Sequence, residues 1–309
     1  MSIGVALPSG DTENTANIVD ELIAQTRQAA DAGLDRVWFS QRYDHDAIAL
    51  AALAGRAVPE IAVGTSIVPI VPRHPLLLAS LAQTAQAATG GRFTLGVGLG
   101  AKALSEAAYG VGYPPPIRHL REWLTVLNQA LDGEQVSFDG ETVSAHPVWP
   151  VTVQGSAKPE VIVAAMGLQA LRVTGELADG TLPFLAGPRT VSRQIVPAIT
   201  KAAEAAGRPA PKIIVAFPAI VTDEPDAVRE LAAPQLAFYD DIPSYRKILD
   251  AEGVDGALDL AVIGDEKTVA DAVRRYFDAG ATEVVVTQAG LRSAAERLRT
   301  WALLGGLAS

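Results

Sequence analysis

The stretch 159–188, PEVIVAAMGLQALRVTGELADGTLPFLAGP, constrains the fold more than any other part of the chain. Residues 161–165 form an apolar run too short for a helix, which fits a strand covered on both faces. Leu168, Leu171, Val173, Leu177 and Ala178 then recur at helical spacing. Asp179-Gly180 ends that segment, and a second apolar strand follows over 181–185. The unit is strand, glycine turn, helix, strand. Its turn, Ala165-Met166-Gly167, presents backbone N–H groups at a helix N-terminus beside the carboxyl end of a buried strand, a geometry that binds phosphate. An ordinary βα turn without a ligand has the same spacing.

The same rhythm runs through the chain. Strands are expected at 3–8, 36–40, 61–70, 93–98, 161–165, 181–185, 212–221 and 283–287. Helical patterns fall at 17–32, 44–56, 75–89, 117–131, 190–206, 267–279 and 294–304. Residues 9–15 read as a polar loop. Two regions depart from the repeat. One is 101–158, with a Gly/Pro-rich loop at 101–116 and a hairpin at 135–146 turning at Asp139-Gly140. The other is the partly broken helical region 226–252. No boundary splits the chain into two cores, so residues 1–309 read as a single domain. A closed (β/α)8 TIM barrel with insertions after strands four and seven fits best. An open doubly wound sheet is the runner-up. Against it, Gly96-x-Gly98-x-Gly100 departs from GxGxxG and precedes a loop rather than a helix.

Composition narrows the function classes. The absence of cysteine excludes disulfides, thiolate catalysis and Cys-based metal sites. A net charge of −10 without a Lys/Arg cluster argues against nucleic-acid or anionic-membrane partners. No apolar run reaches membrane-spanning length and no secretory signal is visible, which makes the cytoplasm the default location. A small-molecule substrate is the expected partner.

In such barrels the site lies at the carboxyl ends of the strands. The residues expected there are Ser9, the segment Ser40, Gln41, Arg42, Tyr43, Asp44, His45 and Asp46, then Thr65, Ser66 and Ile67, then Gly98 and Lys102, then Ala165, Met166 and Gly167, and finally 185–189. This set holds no carboxylate pair, no supported Ser–His–Asp arrangement and no metal-ligand cluster. It suits a flat, phosphate-bearing cofactor that carries the chemistry itself. His45, within Tyr43-Asp44-His45-Asp46, either bonds a cofactor or shuttles a proton, or is a helix-start histidine beside capping aspartates. His74 precedes Pro75 and shapes a helix start, whereas His119 and His146 read as surface residues. Lys102 is either solvated or, from its place after strand four, in contact with a phosphate. Arg189 either meets an anion or is solvated.

The chain resembles the luciferase-like flavin/deazaflavin monooxygenase superfamily, and within it the F420-dependent oxidoreductases of the LLM class. The segments that carry the resemblance are Arg36-Val37-Trp38-Phe39-Ser40, Gly64-Thr65-Ser66-Ile67-Val68-Pro69, Arg73-His74-Pro75, Gly91-Arg92-Phe93 with Leu95-Gly96-Val97-Gly98, and Val163-Ala164-Ala165-Met166-Gly167. Ala178-Asp179-Gly180 and Ala186-Gly187-Pro188 complete an ordered set across nearly the whole chain.

The resemblance implies a TIM barrel that binds coenzyme F420, a deazaflavin, or in some relatives FMN. It implies a bulged third strand with a non-prolyl cis peptide at Ser66–Ile67 behind the ring. The cofactor phosphate would rest on the backbone of Ala165, Met166 and Gly167, and Ser40, Gln41 and Arg42 would touch ring or substrate. Two departures stand out. The sugar-phosphate dehydrogenases of the superfamily carry Asp-His after the strand-two serine, where this chain has Gln41-Arg42. They carry Glu after the strand-four Gly-x-Gly, where it has Ala101.

The expected activity is therefore F420-dependent hydride transfer to or from an organic substrate whose identity stays open. His45, Asp44 or Tyr43 would serve any proton relay, and 101–116 with 236–249 would form a lid. The alternatives are an FMN-dependent monooxygenase and a barrel that binds F420 without catalysis. Dimers are common in the resembled family, and an Ala-rich helical surface would permit a homodimer.

Overall fold

Short aliphatic runs flanked by Gly, Pro or polar residues bury both faces only in a parallel sheet covered by helices. The computed structural model, which describes residues 1–10 and 15–308, arranges them that way. The middle of the expected 9–15 loop, residues 11–14, lies outside the described residues.

In chain order the elements are β1 (Ser2–Leu7), α1 (Ile18–Asp31), β2 (Arg36–Phe39), α2 (Ala47–Ala57), β3 (Ala62–Thr65), β4 (Val68–Pro69), α3 (Pro75–Ala88) and β5 (Phe93–Gly98). The first insertion holds α4 (Lys102–Tyr109), α5 (Pro116–Leu131), β6 (Phe138–Asp139) and β7 (Ser144–Ala145). Then follow β8 (Glu160–Val163), α6 (Leu168–Leu177), β9 (Gly180–Thr181), α7 (Pro188–Thr190) running through a π turn into α8 (Val196–Ala205), and β10 (Lys212–Val221). The chain closes with α9 (Pro225–Ala237), α10 (Pro243–Glu252), β11 (Val262–Gly264), α11 (Glu266–Asp278), β12 (Glu283–Thr287) and α12 (Ala294–Ala308).

Among the described residues, eight strands close a parallel ring in the order β1, β2, β3, β5, β8, β9, β10, β12 and back to β1. Side chains alternate along each strand. Val5, Val37, Phe39, Val63, Leu95 and Val163 face the helices. Ala6, Trp38, Ile162, Leu182, Ile214, Ala216 and Val285 fill the barrel interior. The Trp38 indole needs room on both sides, and both neighbouring strands supply glycine. A Cβ on Gly4 would stand 3.1 Å from the indole, and one on Gly64 would stand 2.7 Å from it.

Below the indole lies a polar plug at the amino ends of the strands. Trp38 Nε1 donates to Glu283 Oε1 at 2.8 Å, Arg36 Nε lies 3.6 Å from Glu283 Oε2, and Lys212 Nζ donates to Glu160 at 2.5 Å. Burial pushes the Glu283 carboxyl above the ordinary range, against the pull of the Arg36 guanidinium and the indole N–H.

Four sequence expectations need correction. The 101–116 segment is not loop throughout. Residues 102–109, KALSEAAY, are good helix formers and make α4, with Lys102 Nζ 3.9 Å from Glu106 and Gly110 closing the helix in the left-handed conformation at φ 63°. The hairpin turns over 140–143 rather than at Asp139-Gly140, with Gly140 N–H bonded to the Val143 carbonyl at 2.9 Å. The Glu122 carboxylate sets this longer turn by accepting from the backbone of Glu141, Thr142 and Val143 at 2.7–3.1 Å. His119 is buried at 6% exposure on α5, its ring nitrogens without hydrogen-bond partners. Desolvation lowers its pKa, with the Glu122 charge opposing. A further short strand, β11, within the apolar run 260–263, pairs with the end of β10 and was not among the expected strands.

Candidate active site

Between β3 and β4 the third strand gains one residue. Gly64 pairs with Thr94 before the gap, whereas Val68 pairs with Val97 after it. The Ser66–Ile67 peptide in the gap is cis, as the resemblance implies. The bulge turns Ile67 toward Gly98, where a Cβ would sit 2.9 Å from Ile67 Cδ1. On Gly96 a Cβ would run into the Thr65 carbonyl oxygen. The glycines of strand four are thus clearance for the bulge and not a dinucleotide loop.

The next strand end presents a bare helix terminus. Asn17, Asp46, His74 and Asp265 cap α1, α2, α3 and α11 with side-chain acceptors. No side chain caps α6. Its first intrahelical bond runs from Leu171 N to Gly167 O at 2.9 Å, so the amides of Leu168, Gln169 and Ala170 precede it. Gly167 is exposed, with nothing within 4 Å of where a Cβ would stand. Gln194 Nε2 pins the turn by donating to the Met166 carbonyl at 3.1 Å. Ala165 is buried, its N–H bonded to the Val163 carbonyl at 2.8 Å. The adjacent helix α4, above β5, is also uncapped. Two positive helix ends therefore flank neighbouring strands.

A cavity of about 500 Å³ opens over strands two to four, lined by Gln41 to Asp44, Pro69, Gly100 and the α4 residues Leu104, Ser105 and Tyr109. Gln41 is a staple of this wall. Its Nε2 donates to the carbonyls of Arg42 (2.6 Å) and His45 (2.8 Å), and its Oε1 accepts from Ala47 N at 3.2 Å. Arg42 Nε and His45 Nδ1 approach the same oxygen, Asp44 Oδ1, at 3.3 and 3.1 Å. The His45 contact lacks hydrogen-bond geometry, and among the described residues its Nε2 has no partner although the side chain is only 6% exposed. Tyr43 is 72% exposed and meets Tyr109 edge-on, centroids 6.0 Å apart.

Other expected residues go elsewhere. Thr65 is fully buried and both roles of its hydroxyl are taken by Gly96. Lys102 points to solvent, its side chain 66% exposed. Ser40, Ser66 and Ile67 stay half-buried at the mouth. Ser9 is held away by Gln25, Gln288 and Arg297. His74 caps α3 through Nδ1, accepting from Leu76 N at 3.3 Å, while Nε2 bonds the Ser144 carbonyl at 2.9 Å. His146 lies at the surface, bonded to Asp139 at 2.9 Å.

The opposite half of the mouth is filled. Phe184, which also packs into the barrel interior, meets Tyr239 and Tyr245 at 5.2 and 6.4 Å between centroids. Leu185, at φ 57°, turns into the same cap. Glu252 at the end of α10 ties this cap down by accepting from the amides of Arg189 (3.1 Å) and Thr190 (2.7 Å). A side chain on Gly187 would collide with that carboxylate. Phe184, Tyr109 and Glu252 were not singled out from sequence. Only Tyr109 had a local signal, the helix-forming run before Gly110.

The profile of the luciferase-like monooxygenase family matches residues 1–283. The chain belongs to that family. Its relatives include the 5,10-methylenetetrahydromethanopterin reductase of Methanopyrus kandleri, 28% identical over 307 residues that cover 84% of this chain and 86% of the reductase. The F420-dependent glucose-6-phosphate dehydrogenase of Kineococcus radiotolerans is 28% identical over 284 residues, 84% of each chain. An F420-dependent secondary alcohol dehydrogenase in complex with an F420-acetone adduct superposes with a TM-score of 0.80 at 17% identity, covering 100% of this chain and 99% of that one. The oxygenating constituent of 3,6-diketocamphane monooxygenase from Pseudomonas putida, with FMN, gives 0.78 at 18% identity over 99% and 97% of the two chains. The luciferase-like fold is thus common to both cofactor classes. Among the described residues no helix is long and apolar enough to cross a membrane.

Proposed function

We propose that the protein is an F420-dependent oxidoreductase that transfers hydride between the deazaflavin and a small organic substrate. The observation that carries this reading is the uncapped α6 terminus at Gly167, with only β5 between its strand β8 and the strand of the Ile67 bulge. Backbone amides at a helix N-terminus suit a singly charged phosphodiester such as that of F420. When bound, F420 supplies hydride donation or acceptance at C5 of its ring. Met166, Gly167 and Leu168 would hold its phosphate, and Ile67 would back the ring over Gly98. The wall of 41–45 would face the substrate, with His45 and Asp44 as the pair that holds a proton.

FMN binding is the second reading, favoured by the FMN-bound structural neighbour. The dianionic phosphate of FMN calls for a nearby cation, and the exposed Lys102, 3.9 Å from Glu106, is a poor one. Fluorescence titration of the apoprotein with F420 and, separately, FMN tests the choice. Micromolar F420 binding without FMN binding is expected, and preference for FMN would overturn it. Turnover of an enoate, imine or ketone with reduced F420 would exclude a merely binding barrel.

The proposal includes a cytoplasmic location and a homodimer. For the dimer, the exposed Leu53, Leu77 and Leu81 of α2 and α3 are the candidate face. Sedimentation velocity checks it, and a monomer at micromolar concentration would remove it.

A further inference from the structure

The cavity over strands two to four holds two charged side chains in its wall, Arg42 and Asp44. They lie side by side through Arg42 Nε at 3.3 Å. Asp44 is in turn shared with His45, so the carboxylate is tied from two sides and orients the guanidinium. Among the described residues, nothing bonds Arg42 Nη1 or Nη2. Those atoms form the free fork of a planar guanidinium, which matches the two oxygens of a carboxylate.

Apart from Gln41 and Ser105, the rest of the wall is mostly apolar. Tyr43, Leu104 and Tyr109 expose large side chains to the cavity, and Pro69 lies at its edge. Exposed apolar surface gathered around one cavity marks a place where something else is bound. Gln41 is committed to the loop, which leaves Arg42 and Asp44 as the charged groups of the wall.

We infer that this cavity selects a substrate with a flat apolar body and one carboxylate, held by the Arg42 fork with the body against Tyr43, Tyr109 and Leu104. Asp44 offsets the charge of Arg42, so the wall has no net positive charge with which to hold a phosphate dianion. The assignment rests on the oxidoreductase reading for its meaning as a substrate site, but its chemistry is measurable without turnover.

The test is calorimetric titration with trans-cinnamate and its neutral isostere trans-cinnamamide, on the protein with and without F420. Cinnamate is expected to bind at least about tenfold tighter. Arg42→Gln should abolish the difference and Arg42→Lys should restore part of it. Tyr109→Ala should weaken both ligands alike. Equal binding of the two ligands, binding of neither, or a preference that survives Arg42→Gln would overturn the inference. Failure to bind F420 while the cinnamate preference persists would instead sink the cofactor reading alone. Melting temperatures of the variants identify any that fail to fold, and in that case Arg42→Lys and the salt dependence of wild-type binding decide the matter.

Discussion

The hydroxyl of Thr65 closes a two-way hydrogen bond with Gly96, donating to its carbonyl at 2.8 Å and accepting from its N–H at 2.9 Å. The pair clamps strand three to strand four where the bulge begins, replacing ladder bonds that the extra residue removes. Thr65→Val keeps the shape and leaves the buried Gly96 amide unpaired, so it should cost about 1–3 kcal/mol in chemical denaturation. Gly96→Ala drives a methyl into the Thr65 carbonyl and should cost about 4 kcal/mol or more, or prevent folding. A Gly96→Ala variant of wild-type stability would refute this account of the glycine.

Gly167 separates the needs of the fold from those of the cofactor. It has φ −76° and ψ 145°, which any residue adopts, and open space around it. Gly167→Asp should cap α6 and raise stability by about a few tenths of a kcal/mol. The same carboxylate occupies the amides assigned to phosphate, so F420 affinity should drop at least tenfold. A Gly167→Asp protein that binds F420 like wild type would remove α6 from the cofactor site.

His45 is the proton-holding group of the proposal. Its Nε2 is unpartnered and its Nδ1 lies 3.1 Å from Asp44. With whichever substrate the enoate, imine and ketone screen yields, His45→Gln should lower kcat about 100-fold. The F420 dissociation constant should change little. A kcat within threefold of wild type would leave the proton to solvent.

Glu283 sets a pH dependence that belongs to the fold alone. Its carboxyl is raised in the folded protein by burial, so the native state binds its proton more readily than the unfolded chain. Its contribution to stability is complete below the unfolded carboxylate pKa, about 4.3, and is lost as pH rises through the higher folded value. Glu283→Gln should remove that falling slope from a plot of unfolding free energy against pH. An unchanged slope would show that another group carries it.

The strands were legible because each is a short apolar run between glycine, proline or polar residues, and burial on both faces leaves such runs no other use. The bare terminus at Gly167 was legible as a turn, since strand, glycine and helix follow one another within a few residues. The α4 helix was obscured by the glycines and prolines of 110–116, although six of the eight residues from Lys102 to Tyr109 (Lys, Ala, Leu, Glu, Ala, Ala) are good helix formers. His119 looked like a surface residue because Arg118 precedes it and Arg121 follows two positions later, which hides the fact that α5 turns it inward.

The sequence by itself determined the alternating βα order and the places of the glycines at 96, 98 and 167, because these follow from local periodicity and residue chemistry. Tertiary structure alone decided that Glu252 caps the helix beginning at Pro188, that Phe184 and two distant tyrosines fill half the mouth, and that Arg42 and His45 share one oxygen of Asp44. Those contacts join residues far apart in the chain or depend on side-chain direction. Closure of the barrel, not spacing along the sequence, brings them within reach.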